Sequence, residues 1–432
     1  MHLDRTAHAE DLADFVEASP SSHHAAAEVA RRLQESGFTA LVESEAWPSA
    51  AGRYLVVRDG AVIAWVVPAS VTATTPVRVF GAHSDSPGLV LKPQPSTGAH
   101  GWLQAGVEVY GGPLLNSWLD RELRLAGRLV LDDGSSVLAD SGPLLRLPQL
   151  AIHLDRDVNE GLALDRQRQT QPVWGLGAAA SADLVGEIAS TSGVDAARVR
   201  GFDLVTADAA RGRIFGQDDV FFASGRLDDL ASVHAGVVAL GEVAGADADH
   251  VAVLAVFDHE EVGSASRSGA AGPFLEDVLA RIGIALGASP EERLRATAAS
   301  WCVSSDVGHS VHPNYPEKHD PVVRPVLGSG PILKVNANQR YTTDGPGTAA
   351  WHGWCAQAGV TSQTFVSNNS VPCGSTIGPI TATRLGIRTL DVGIPLLSMH
   401  SARELAGTSD LVDLTLAAAA FLGGDGRSSA AR

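Results

Sequence analysis

A chain of 432 residues, 45% hydrophobic and 19% charged, holds enough apolar material for more than one core and is not disordered by composition. Its 49 acidic and 32 basic side chains leave a net charge of −17, which argues against nucleic acid or an anionic membrane as the main partner. No run of about 18 apolar residues predicts a transmembrane helix.

The N-terminal MHLDRTAHAEDLADF carries charges where a signal peptide needs an apolar stretch. Leu12, Phe15 and Val16 recur at helical spacing, and after a Ser-Pro-Ser-Ser break the same spacing returns from Ala25 to Leu33. Short β-rich runs follow, Tyr54 to Val57 and Ala61 to Val67, with Asp59-Gly60 as the turn between them. Val77 to Phe80 predicts another strand, running into GAHSDSPG.

From about Lys92 to Gly212 the pattern changes to short β-like runs, such as GRLVL and LLRLPQLAIHL, separated by Gly-Gly, Asp-Asp-Gly and Ser-Gly turns. After Phe222 helix and buried strand alternate: LASVHAGVVALGEVA, VAVLAVF, SWCVSSD, TLDVGIPLL. Such alternation predicts a largely parallel sheet covered by helices on both faces. The expected fold is an α/β domain in two parts, 1–92 and 213–432, with a β-rich oligomerisation domain inserted at 93–212. Only the C-terminal GGDGRSSAAR reads as disordered. Cys302, Cys355 and Cys373 are odd in number, far apart and without a C-x-x-C pair. That argues against a disulfide framework or thiolate zinc site and fits a reducing cytoplasm.

Chemistry-bearing residues gather after the predicted strands. His83-Ser84-Asp85 follows VRVFGA, Asp258-His259-Glu260-Glu261 follows VAVLAVF, Asp306 follows SWCVSS, and His400 follows TLDVGIPLLSM. Asp228-Asp229 opens the helix expected from Leu230. Strand ends of one face line the crevice of an open α/β sheet, so residues remote in sequence converge there. Two imidazoles and three carboxylates without a thiolate suit zinc or a similar divalent cation at a catalytic site. Five ligands exceed the need of one open catalytic zinc but suffice for two metals if one carboxylate bridges. Two metals about 3.5–4 Å apart can share a hydroxide nucleophile. A neighbouring carboxylate must then move the proton, and Glu260-Glu261 offers one ligand and one base. Asp85, two residues beyond His83, is placed to accept the other imidazole N–H.

Other residues have plainer readings. His2, His8, His23, His24 and His100 fall in polar segments and are expected to face solvent. His312 and His319 are expected to shape the HPNYPEKH loop, Cys302 to fill a core, and Gly111-Gly112 to make a turn. Lys334, in a β-like run, is either a snorkelling surface lysine or a pocket cation for an acidic substrate side chain.

Eight segments in order also resemble the aspartyl aminopeptidase family of di-zinc metallopeptidases, over nearly the whole chain. They are GAHSDSPGL (81–89), GGPLLNSWLDREL (111–123), LPQLAIHL (147–154), SGRLDDL (224–230), HEEVGS (259–264), SSDVGHSVHPNYPEKH (304–319), NQRYTTDG (338–345) and GSTIGPITATRLGIRTLDVGIPLLSMHSARE (374–404). The resemblance implies that His83 and His400 each bind one of two zinc ions, that Asp228 bridges, and that Glu261 and Asp306 complete the shells. It makes Glu260 the general base, His309, Lys334 and Tyr341 substrate contacts, and His153 a residue given across a subunit interface. It also implies peptides with a free N-terminus as substrates, an acidic preference, and a tetrahedral dodecamer. Asp229 departs from the family's usual Asn, and Val307-Gly308 from a Met-Ala type pair. A related hydrolase of acylated amino acids and a silent scaffold are the competing readings. Retention of Glu260 beside five ligands speaks against the scaffold.

Overall fold

The computed structural model describes residues 1–243 and 248–424; the tail expected to be disordered falls almost entirely outside them. Among the described residues the strands form sheets of nine, seven and five strands. At the centre of the nine-stranded sheet, Val251–Phe257, Val77–His83, Trp301–Ser305 and Arg388–Gly393 lie side by side and parallel. Val251–Phe257 is apolar toward both faces, and the other three are buried on both. Val79 packs into the core beneath helices Phe274–Ala285 and Ile377–Leu385, and its neighbour Phe80 packs beneath Arg5–Glu17, Ser22–Glu35, Leu227–Val243 and Thr408–Gly423. Alternate side chains point to opposite faces, so a sheet covered twice reads as the unbroken apolar runs seen in the sequence. Antiparallel pairs, Ala61–Val67 against Val251–Phe257 and Ile332–Val335 against Arg388–Gly393, flank this parallel centre and make the sheet mixed.

The seven-stranded sheet is antiparallel. Val199–Asp208 pairs both with Gly88–Thr97 and with Glu122–Leu131, which closes the sheet on itself around Leu89, Leu123, Leu125, Leu129 and Leu204. Closure removes edges that would otherwise invite pairing. The fold class expected from sequence, an α/β domain with a separate β-rich unit, is the one observed.

Three local expectations need correction. LPQLAIHL is not a strand: the ladder of Leu145–Arg146 ends in a single bridge from Leu147 to Leu119, and Pro148 supplies no ladder donor. Leu150, Ile152 and Leu154 then face outward, Leu154 at 75% exposure. TLDVGIPLL is not one strand but two, Arg388–Gly393 in the large sheet and Pro395–Leu397 in the five-stranded one. Of the histidines expected in solvent, His2 and His100 are exposed, but His8 is buried with Nε2 3.0 Å from Thr415 Oγ1. His23 and His24 are half-buried, and Ser21 Oγ holds His24 Nδ1 at 2.9 Å. Helices Arg5–Glu17 and Ser22–Glu35 turn those rings inward onto the core, a direction that local polarity does not encode. Cys302 is buried in the strand, as expected.

Candidate active site

The parallel register sets His83 level with Phe257, so the chain beyond each strand enters the same crevice. Asp258-His259-Glu260-Glu261 leaves one strand there and Asp306 leaves the next. Leu227–Val243 is regular only from Leu230, because Asp228 and Asp229 hold non-helical backbone angles and are joined by a cis peptide. His259 and His400 both adopt φ 63°, a left-handed conformation that costs a non-glycine residue free energy and recurs at functional sites.

Asp228 is the centre of the cluster. His83 Nε2 lies 3.1 Å from its Oδ1 and His400 Nε2 3.3 Å from its Oδ2. His400 Nε2 also lies 3.4 Å from Glu261 Oε2. On the far side of each ring Nδ1 has an acceptor: His83 donates to the Asp85 carbonyl at 3.0 Å, His400 to the Gly112 carbonyl at 3.0 Å. With Nδ1 donating, each ring turns Nε2 toward a carboxylate, a contact that calls for a proton or a metal ion between the two. Asp306 joins Asp228 and Asp229, with carboxylate oxygens within 4.8 Å of one another.

Electrostatics make the same demand. Burial pushes the Glu260 carboxyl up to about 8 and raises Glu261 and Asp229 well above the carboxylate range, with neighbouring carboxylates adding to each. Against burial, which would lower it, the Asp228 and Glu261 carboxylates raise His400 to about 10. Glu261 Oε1 and Asp229 Oδ1 are buried without a hydrogen-bond partner. Buried carboxylate oxygens left over after all local pairing fit a divalent cation.

Three groups given no role at the site from sequence hold the cluster. Glu404 accepts from Asp228 N at 2.9 Å and His400 N at 2.7 Å, tying two remote segments together. Its only sequence signal is its place four residues after His400 in HSARE. Tyr110 donates to Asp85 Oδ2 at 2.7 Å, and Gly112 supplies the carbonyl for His400. Gly111-Gly112 is a turn as expected, but one laid against the site.

Asp85 does more than face His83. Its carboxylate is 3.4 Å from His83 Nδ1 and accepts from Glu260 N at 3.0 Å and Glu261 N at 3.1 Å. Lys334 is not a surface lysine: it is 2% exposed, donates to Val307 O at 2.8 Å and sits 3.6 Å from Asp306 Oδ1. Its ammonium lies 5.3 Å from the Tyr341 ring, and Phe365 stacks edgewise on Tyr341 and tilts toward His309. Lys334, Tyr341 and His309 therefore share one wall beside Asp306. His319 Nε2 accepts from His312 N at 3.0 Å, as a loop-shaping pair would. His153 stands apart, exposed on the turn-rich segment and without a hydrogen bond or ion pair among the described residues.

Residues 15–422 match the family model described as aminopeptidase I zinc metalloprotease (M18). A probable M18 family aminopeptidase 2 of Streptomyces coelicolor is 54% identical over 420 residues, covering 96% of this chain and 97% of the relative. One of Mycobacterium tuberculosis is 44% identical, covering 96% and 98%. Among solved structures, the Ape4 and Nbr1 complex gives a TM-score of 0.92 at 35% identity, with 97% of this chain and 86% of that one covered. The S. cerevisiae mApe1 dodecamer gives 0.84 at 30%, covering 96% and 95%. A crevice with two imidazoles on one carboxylate, in a chain matched along almost its whole length, leads to one assignment: this protein belongs to the M18 family of zinc aminopeptidases.

Proposed function

We propose that the chain removes the N-terminal residue from peptides, with a preference for Asp and Glu, at a centre of two zinc ions. The observation that carries this reading is the seating of His83 and His400 on the two oxygens of Asp228. In it Asp228 would be shared by the two ions, each histidine would serve one, and Glu261 and Asp306 would complete the shells. When bound, zinc polarises the scissile carbonyl and makes water a nucleophile near neutral pH.

The remaining work falls to the chain. Glu260 takes a proton from the attacking water and passes it to the departing amine. Asp85 keeps the His83 ring in the tautomer that leaves Nε2 free and holds the backbone from which Glu260 and Glu261 project. His309 and Tyr341 line the substrate wall.

Lys334 supports the acidic preference. An ammonium has three donors; Val307 O takes one, and Asp306 at 3.6 Å is a loose partner. In this reading the ammonium, buried beside Asp306, is the partner of a substrate carboxylate. Such a pair contributes about 1.5–3 kcal/mol, roughly ten- to a hundredfold in relative rate. Lys334→Ala should lower kcat/KM for N-terminal Asp and Glu by that factor and change Ala and Leu substrates much less. Assay of wild type and variant on a panel of aminoacyl substrates decides it. A wild type favouring Leu by a similar factor would rule out the acidic preference.

The same reading divides the chain at 1–92, 93–212 and 213–432 and makes it a homo-oligomer, a tetrahedral dodecamer, whose contacts cover Leu150, Ile152 and Leu154 and bring His153 to a neighbour's crevice. The dodecameric state of the similar mApe1 supports this assembly. Three free cysteines fit work in the cytoplasm.

A further inference from the structure

The closed β sheet does more than sit beside the crevice. Strand Gly88–Thr97 continues from the segment that holds His83 and Asp85, and its pairing with Trp102–Tyr110 places Tyr110 opposite Gly88. That register returns Tyr110 to Asp85, where its hydroxyl donates to Oδ2 at 2.7 Å. The chain then passes over the crevice. Gly111 has φ +66°, and a Cβ there would stand 3.2 Å from Glu261 Cβ, so the backbone lies directly against that residue. Gly112 takes the His400 Nδ1 proton on its carbonyl, and Leu114 N donates to His400 O at 2.9 Å.

We infer that the segment from Tyr110 to Leu114 is an orienting strap through which the inserted sheet sets both histidines, with Tyr110 a positioning residue acting through Asp85. The inference rests on the metal-centre reading above. One carboxylate of Asp85 gathers His83 Nδ1, Glu260 N, Glu261 N and the Tyr110 hydroxyl. Without the hydroxyl, Oδ2 keeps Glu261 N as its partner and the buried carboxylate is free to turn toward it. His83 Nδ1 keeps the Asp85 carbonyl but loses the negative charge 3.4 Å away, and the Glu260-Glu261 backbone shifts with the carboxylate that holds it. Partners of this kind set metal affinity by about 10–100-fold.

The test is Tyr110→Phe, which removes one oxygen and keeps the ring. Metal affinity is measured by chelator competition, alongside the visible absorption of the Co2+-loaded enzyme and separate kcat and KM. The expected result is metal binding about tenfold weaker, an altered Co2+ spectrum, and a fall in kcat with KM unchanged. The Asp85→Asn background should abolish these differences, because Tyr110 acts only through that carboxylate. Wild-type affinity and spectrum in Tyr110→Phe, or an equal effect with and without Asp85, would overturn the inference. Failure of Tyr110→Phe to fold would overturn it too, since the hydroxyl would then hold the sheets together instead of orienting the site. A wild type that binds neither Zn2+ nor Co2+ sinks the metal-centre reading itself, a result distinct from all of these.

Discussion

Glu260→Gln is expected to lower turnover about 10²–10⁴-fold while leaving the metal content of the enzyme intact, because general-base assistance is worth that much. Glu260 and Glu261 are adjacent in one short 3-10 turn, and Asp85 takes the N–H of each. Their carboxylates then separate. Glu261 Oε2 reaches His400, whereas the Glu260 carboxylate makes no hydrogen bond or ion pair among the described residues, as a base waiting for water requires. Glu261→Gln should therefore lose metal and Glu260→Gln should not. Zinc analysis of the two purified variants beside kcat checks the division; equal metal loss in both would show that the pair's roles are misassigned.

The second large effect concerns a residue that one chain leaves unused. His153→Ala should lower turnover about 10²–10³-fold if its imidazole donates to the developing oxyanion in a neighbouring subunit. The motive is its position: an exposed segment with Leu150, Ile152 and Leu154 turned outward, an apolar surface that a second copy would cover. The consequence is complementation. Co-assembly of His153→Ala with Glu260→Gln subunits should restore part of the activity, because some hybrid sites receive both an intact histidine and an intact base. Hybrids as inactive as either parent, or active enzyme sedimenting as a monomer, would remove His153 from the reaction.

Much of this site could be read in the sequence because its parts lie at strand ends. His83, Glu260, Glu261 and Asp306 follow buried apolar runs whose parallel order brings their ends together. The fold class was legible for the same reason: runs apolar on both faces require helices on both sides. What stayed hidden depends on register and direction. Tyr110 reaches Asp85 only through its pairing with Gly88, and nothing in VEVYGG announces that. Glu404 carries backbone N–H groups from segments far apart, a job that any carboxylate at that depth could do. Lys334 leaves a surface and a pocket reading open until its strand proves to be interior, paired with Arg388–Gly393 on one side and Gln363–Val366 on the other. LPQLAIHL misled in the opposite way, since its apolar residues Leu150, Ile152 and Leu154 face outward and join no strand.

A di-zinc centre that hydrolyses N-terminal peptide bonds ties turnover to bound metal, so the two are measured together. Purified enzyme is assayed on aminoacyl chromogenic substrates as isolated, after chelation, and after zinc is returned. About two zinc ions per chain are expected, with activity lost on chelation and recovered with Zn2+. Full turnover by a chelated, metal-free enzyme would contradict it.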